Sequence, residues 1–331
     1  MHNETLMTTA SHRLVDANGI HLNLLEQGQG PLVLLCHGFP ETSLAWRYQL
    51  PALAAAGYRA VAPDLRGYGR SEQPEAVDAY TALQVVGDLV ALLDALGEQQ
   101  AVVVGGDWGA TIAWQAALLR PDRFRAVAAL GVPMMGRAPM APSRLFPQTP
   151  DAWFYTHYFA SPGVAERELE ADVATTLRKI YFAASGSAGP RDDVLTPNPF
   201  GMLARSDGLL TALPAPQALP DWLSAVDFEQ LVRSFEKSGF RGGLNYYRNL
   251  DRNWAAEAAF VGLQVHVPAM YLVGESDTGL AMPGMQNIID AMPSLVPQLR
   301  VSQVVPKAGH WLQQEAPETV NPALIGFLKS L

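Results

Sequence analysis

Apolar residues fall along this chain in two rhythms. Compact runs at His21 to Glu26, Pro31 to Cys36, Tyr58 to Pro63, Ala101 to Val104, Phe124 to Leu130, Val267 to Val273 and Leu299 to Val305 read as strands. Between them lie segments with helical spacing. In Thr81 to Leu96, Leu83, Val86, Leu89, Leu92, Leu93 and Leu96 share one face, and Gly97 ends the pattern. A second helical pattern follows the run 101–104 almost directly, and a third closes the chain from Pro317 to Leu331. Strand, helix, strand in this order predicts an α/β architecture: a mostly parallel sheet with helices on both faces.

The rhythm breaks from about Met134 to Gln264, where no clear strand is found. Pro139, Pro142, Pro147, Pro150, Pro162 and Gly163 mark a winding start; helical spacing follows at Val164 to Ala183, Leu219 to Ser224 and Asp227 to Phe235. The expected organisation is therefore an α/β core formed by residues 1–136 and 263–331, interrupted by a helical lid (cap) over residues 137–262. Ligands of such sheets bind at the carboxyl ends of the strands. The lid leaves from that edge and is expected to cover it.

The candidate chemistry starts at Ala101-Val-Val-Val-Gly-Gly-Asp-Trp-Gly-Ala110. Gly105-x-Asp107-x-Gly109 is the pattern of a sharp strand-to-helix turn that holds a nucleophile, with a carboxylate where serine usually stands. Such a turn strains one residue and needs small neighbours. A serine there would need a base to become a nucleophile, whereas an aspartate carboxylate is already ionised at neutral pH, with a reference pKa of about 3.9. The pattern predicts attack on an alkyl carbon, with an ester to Asp107 as the intermediate. The plainer reading is that Asp107 merely caps the following helix.

The partners of such a nucleophile follow in the order acid, then histidine. Beyond the lid two histidines remain. His266 lies just before a strand and reads as surface or structural; His310, in Lys307-Ala-Gly-His-Trp311, sits in a glycine-hinged loop between the last strand and the last helix. The acid should follow the preceding strand, where Tyr271-Leu-Val-Gly-Glu-Ser-Asp277 offers Glu275 and Asp277; Asp277, further out on the loop, is preferred. The other place for an acid, Gly131-Val-Pro-Met-Met-Gly136, holds no carboxylate. After the strand Pro31 to Cys36 comes His37-Gly38-Phe39-Pro40, with Phe39-Pro40 a candidate cis bond. The backbone N–H groups of Phe39 and Trp108 are the natural pair for an oxyanion hole. His37 is expected to be a strut beneath this loop, and Phe39 and Trp108 are expected to line an apolar pocket. Two lid segments, 151–159 and 240–254, are rich in aromatic residues. Aromatic clusters in helical lids are mostly packing. Two tyrosine hydroxyls converging over a carboxylate nucleophile would instead hold a substrate oxygen and donate to it as it leaves.

Composition narrows the partners. The net charge of −9 argues against nucleic acid, since phosphate binding needs a basic face. The single cysteine, Cys36, lies inside an apolar run and forms neither an internal disulfide nor a cysteine metal site. The first ten residues are expected to be loose and lack a basic region followed by an apolar run, and no stretch approaches about 18 uninterrupted apolar residues. A cytoplasmic protein without a membrane span is the default expectation; a homodimer stays open.

Over roughly residues 12–330 the chain resembles the α/β-hydrolase-fold epoxide hydrolases. The resemblance rests on His-Gly-Phe-Pro (37–40), Asp-Leu-Arg-Gly-Tyr-Gly-Arg-Ser (64–71), Gly-Gly-Asp-Trp-Gly (105–109), Pro-Gly-Val-Ala-Glu (162–166), Ser-Gly-Phe-Arg-Gly-Gly-Leu-Asn-Tyr-Tyr-Arg-Asn (238–249) and Gly-His-Trp (309–311). It implies an α/β-hydrolase fold with a sheet of about eight strands. It also implies a lipophilic epoxide and water as substrates, with no metal or organic cofactor. It puts one lid tyrosine on Tyr247 and the other on Tyr155, with Tyr158 as the runner-up, and the acid and base on Asp277 and His310. Trp311 joins Phe39, Trp108 and the tyrosines as an expected substrate contact. The competing readings are a haloalkane or haloacid dehalogenase using the same Asp and His, an esterase, disfavoured by the missing serine, and a hydrolase scaffold that only binds an apolar ligand.

Overall fold

The computed structural model describes residues 10–189, 198 and 200–331. The expectation of loose opening residues falls on residues 1–9, outside those described. Eight strands form one sheet in the order β1-β2-β4-β3-β5-β6-β9-β10: β1 (Ser11–Ala17), β2 (Ile20–Gln27), β3 (Leu32–Cys36), β4 (Arg59–Pro63), β5 (Ala101–Gly106), β6 (Phe124–Leu130), β9 (Ala269–Gly274) and β10 (Leu299–Val305). Only β2 runs against its neighbours; every other pairing is parallel. From β3 the chain steps one way to β4 and then back across to β5, so the strand order reverses between β3 and β5. In open α/β sheets this switch point, at the carboxyl ends of the strands, is where ligands bind.

The central strands are apolar on both faces because both are covered. Leu34 and Cys36 of β3, with Val103 of β5, pack towards the helices Ala82–Leu96 and Trp108–Leu119. Val33 and Leu35, with Val102 and Val104, pack towards the helices Gln49–Ala55 and Pro317–Lys329. In the helix Ala82–Leu96 the inward face holds Val85, Val86, Leu89, Leu92 and Leu93; Leu83 is exposed rather than part of it.

Four sequence expectations need correction. β1 was not foreseen: four of its first five side chains are exposed, so it carries little hydrophobic signal, and it is held by the Asn18-Gly19 hairpin turn, both residues at positive φ. The segment between β6 and β9 does contain strands, a short antiparallel ribbon of β7 (Ala152–Phe154) and β8 (Met202–Ala204). The helix expected over Val164 to Ala183 is two helices, Val164–Leu169 and Val173–Ala184, because Asp172 accepts from the Thr175 N–H and restarts the helix. Leu219 to Ser224 is not a helix; Pro220 keeps Leu219 out of helical geometry, and the helix begins only at Ala225 and runs to Ser238.

Candidate active site

β5 ends at Gly106 and the helix Trp108–Leu119 starts at once, so Asp107 alone makes the turn. Its φ of 53° and ψ of −124° lie where side chains rarely go. The flanking glycines permit this. A Cβ on Gly105 would stand 2.0 Å from the Gly109 carbonyl oxygen, and one on Gly109 would stand 2.0 Å from that of Cys36. Backbone therefore packs on backbone, and the Asp107 carboxylate stands out at the carboxyl edge of the sheet. Its side chain makes no capping hydrogen bond to the helix, so the plainer reading of this residue fails.

Each carboxylate oxygen has its own partner. Oδ1 accepts from the Phe39 N–H at 2.8 Å, and Oδ2 lies 3.1 Å from His310 Nε2. His310 Nδ1 in turn lies 3.0 and 3.1 Å from the two oxygens of Asp277, of which Oδ1 also accepts from the Gly279 N–H at 2.7 Å. Gly131 closes β6 with φ of 81°, and a Cβ there would come within 3.1 Å of Asp277 Oδ2. The alternative acid, Glu275, is exposed and accepts from the Lys307 N–H at 2.9 Å. His266 is exposed as well. The Trp108 N–H, expected as the second oxyanion donor, makes no hydrogen bond to the carboxylate.

The Phe39-Pro40 peptide is cis. His37 is fully buried; its Nδ1 pairs with the Gly38 carbonyl at 2.9 Å and its Nε2 accepts from the Leu65 N–H at 3.0 Å, so it ties the loop to the segment after β4. A Cβ on Gly38 would meet the Asp107 side chain at 2.3 Å, so only glycine lets this loop lie against the carboxylate.

Tyr155 opens the helix Tyr155–Ala160 and Tyr247 lies in the helix Arg241–Arg248. Their ring centroids are 6.0 Å apart. Tyr247 packs edge-on against Trp108, Phe39 and Phe159, at 5.2, 5.6 and 4.9 Å. Burial first, and the Asp107 charge second, raise the pKa of both phenols, which keeps them protonated donors. Tyr158 is occupied elsewhere: its hydroxyl donates to Glu168. The ring of Trp311 stacks on Tyr181 at 4.7 Å and its N–H donates to the Tyr181 carbonyl at 2.9 Å, so it braces the base loop.

Burial opposes a charged imidazole at His310. The Asp277 charge and the hydrogen bonds to Asp107 and Asp277 outweigh it, and the pKa of His310 rises well above its ordinary value. The backbone of the base is tied to the segment between β6 and β9: the His310 N–H donates to the Ala184 carbonyl at 2.8 Å. Glu315 fastens the same junction by accepting from the N–H groups of Gly186, Gly309 and Trp311 at 2.8 to 2.9 Å. Among the described residues no cluster of His, Cys, Asp or Glu is arranged for a metal ion, and no helix is long and apolar enough to cross a membrane.

Comparison with known proteins gives the family. A family model described as the alpha/beta hydrolase fold matches residues 31–317. The curated "Epoxide hydrolase A" of Mycobacterium tuberculosis is 42% identical over 98% of this chain and 99% of its own. An epoxide hydrolase of Caballeronia sordidicola is 41% identical over 96% of this chain and 93% of its own. The solved structure of an epoxide hydrolase from an endophytic Streptomyces superposes with a TM-score of 0.91 at 44% identity, covering 97% of this chain and 96% of that one. This chain belongs to the epoxide hydrolases of the α/β-hydrolase fold.

One residue of the site in this family member was not anticipated. Glu41, directly after His-Gly-Phe-Pro, is buried; it accepts from the Gly38 N–H at 3.3 Å and from the Gln313 and Gln314 amides at 3.1 and 2.7 Å. Burial pushes its pKa up to about 7, and the Asp107 charge adds to the rise. The only sequence cue was an acidic residue inside an otherwise apolar loop; its neighbours come from the far end of the chain.

Two outcomes are expected. Gly109→Ala, which forces a Cβ to 2.0 Å from the Cys36 carbonyl oxygen, should destabilise the fold by more than about 3 kcal/mol or prevent its formation; a soluble variant with native urea-unfolding midpoint would contradict the tight turn. Glu41 holds its proton in the folded chain to a higher pH than in the unfolded one. Its protonated form therefore contributes stability that is complete at low pH and is lost as pH rises from about 4.5 through about 7. Glu41→Gln should flatten that fall in urea titrations across the window; an unaltered slope would show that this carboxyl is ionised throughout.

Proposed function

We propose that the protein hydrolyses a lipophilic epoxide to a vicinal diol through a covalent ester on Asp107. The observation that carries this reading is a carboxylate with one oxygen on an amide and the other on a histidine, near two phenols whose pKa is raised first by burial and then by the Asp107 charge. Residues 137–262 act as the lid that brings those phenols over the nucleophile. The epoxide oxygen accepts from Tyr155 and Tyr247. Asp107 attacks a ring carbon in line, the C–O bond breaks, and one tyrosine passes its proton to the alkoxide. Positioned acids of this kind contribute on the order of 10²–10⁴-fold.

The charge on Asp107 also times the second step. In the free enzyme it raises the pKa of His310 and of both tyrosines. Esterification removes that charge. The phenols then become easier to deprotonate as the alkoxide forms, and His310 becomes easier to deprotonate just when a base is needed. Neutral His310, oriented by Asp277, takes a proton from water. That water attacks the ester carbonyl carbon and the Phe39 and Trp108 amides stabilise the tetrahedral oxyanion. Its collapse breaks the ester C–O bond, the departing alkoxide takes the remaining proton of the former water and leaves as diol, and the proton held by His310 returns to the tyrosinate by way of water, which restores Asp107, His310 and the tyrosine. A dehalogenase would need N–H donors for a halide where these phenols stand.

A single turnover in heavy-oxygen water should leave label in the peptide containing Asp107, and an unlabelled peptide would exclude the ester. Tyr247→Phe should slow ring opening by about tenfold or more, with the Tyr155→Phe, Tyr247→Phe double variant slower still, while release of halide from chlorinated or brominated alkanes should stay absent. The pH dependence should separate the two steps. Ester hydrolysis needs neutral His310, so between about pH 8 and pH 5 the quenched ester on Asp107 should accumulate as pH falls. An ester level that does not change over this range would remove His310 as the base.

A further inference from the structure

Two charged residues of the lid motifs take no part in the reaction described above. Arg248 follows Tyr247 directly, and Glu166 follows the Pro162-Gly163 turn. The structure brings them together. Gly163, at φ of 73°, turns the chain from the end of the helix Tyr155–Ala160 into the helix Val164–Leu169, whose first turn carries Glu166. Arg248 Nη2 donates to Glu166 Oε1 at 2.7 Å, and Nη1 donates to Asn245 Oδ1 at 3.0 Å. The carbonyl oxygen of Ser161, where the Tyr155 helix ends, lies 3.5 Å from the same Nη2.

The pair is nearly sealed from solvent, the two side chains being 5% and 14% exposed. It is also incompletely satisfied: Arg248 Nε and Glu166 Oε2 are buried without a hydrogen-bond partner among the described residues. Desolvation offsets much of the attraction in a buried pair like this, so it is a poor source of net stability; what it does well is fix geometry. The geometry at stake is that of the two phenols. One arm of the pair is joined to Tyr247 by a peptide bond, and the other leads through the turn to the helix of Tyr155 and Phe159, whose rings lie 6.0 and 4.9 Å from that of Tyr247.

We infer that the Glu166–Arg248 ion pair is a positioning clamp: it sets where Tyr247 stands relative to Tyr155, and thereby which ring carbon of the epoxide Asp107 attacks. This rests on the reading of the two tyrosines as epoxide-oxygen donors. An oxygen pinned between two fixed donors presents its two carbons unequally to a carboxylate below. Loosening one donor slows attack and makes the two carbons more nearly equivalent.

The test uses styrene oxide as probe, with single-turnover ring opening followed through Trp108 fluorescence. Turnover in heavy-oxygen water marks the attacked carbon, because the Asp107 oxygen that each attack leaves in the diol becomes labelled after earlier turnovers. Glu166→Gln keeps the shape and removes the charge; Arg248→Lys is the second variant, and near-UV circular dichroism checks that both are folded. Each should slow ring opening by about 10- to 100-fold and shift the label between the two carbons, while ester hydrolysis stays within about twofold. In a Tyr247→Phe background, Glu166→Gln should add less than about twofold, because both changes act through one hydroxyl. If Tyr247→Phe is slow and Glu166→Gln still adds its full factor, or if the label distribution does not move, the clamp is wrong while the tyrosine reading stands. If Tyr247→Phe alone opens the ring at the native rate, the tyrosine reading falls and the clamp falls with it.

Discussion

The negative charge of Asp107 is what the rest of the site is built around. One oxygen is held by a backbone amide from the His37–Pro40 loop and the other by His310, so the carboxylate has two distinct ends. Its charge adds to burial in raising the pKa of both phenols, and adds to Asp277 in raising that of the imidazole. No separate device is then needed to order the steps of the proposed reaction. In that proposal the ester removes the charge, and the three groups lose that share of their shift together.

Holding a carboxylate in that position makes a demand on the backbone that only a few residues can meet. Asp107 occupies a left-handed region that is costly for a side chain, and the turn persists because Gly105, Gly109 and Gly38 let the surrounding backbone close on it. The parallel strands on either side fix the edge at which it emerges, and the change in strand order between β3 and β5 leaves that edge open to a ligand. Fold and site are linked at this point: the same steric economy that packs strand on helix also presents the charge.

Much of this was legible in the sequence because the constraints are local. Small residues around a single acid at the end of an apolar run announce the turn, and the placing of Asp277 and His310 after successive strands led to groups that do meet in space. His37 was readable as a strut from its place beneath a tight loop. What escaped were features whose meaning depends on distant partners. Glu41 draws its two glutamine partners from residues 313 and 314, and Glu315 draws one of its three donors from residue 186, so the local sequence shows only part of what either does. The stacking of Trp311 on Tyr181 escaped for the same reason. Between β6 and β9, three-residue strands and a capping Asp172 are too short-ranged for periodicity to register.

The junction at Glu315 has a mechanical corollary. Ala184 and Gly186, at the end of the helix Val173–Ala184, are bonded to the very loop that carries His310, partly through one carboxylate. That end of the segment between β6 and β9 is an anchor, not a hinge. Any displacement large enough to detach it would carry the imidazole off its two aspartates, so traffic of substrate and diol through this protein has to pass without moving the floor on which the base stands.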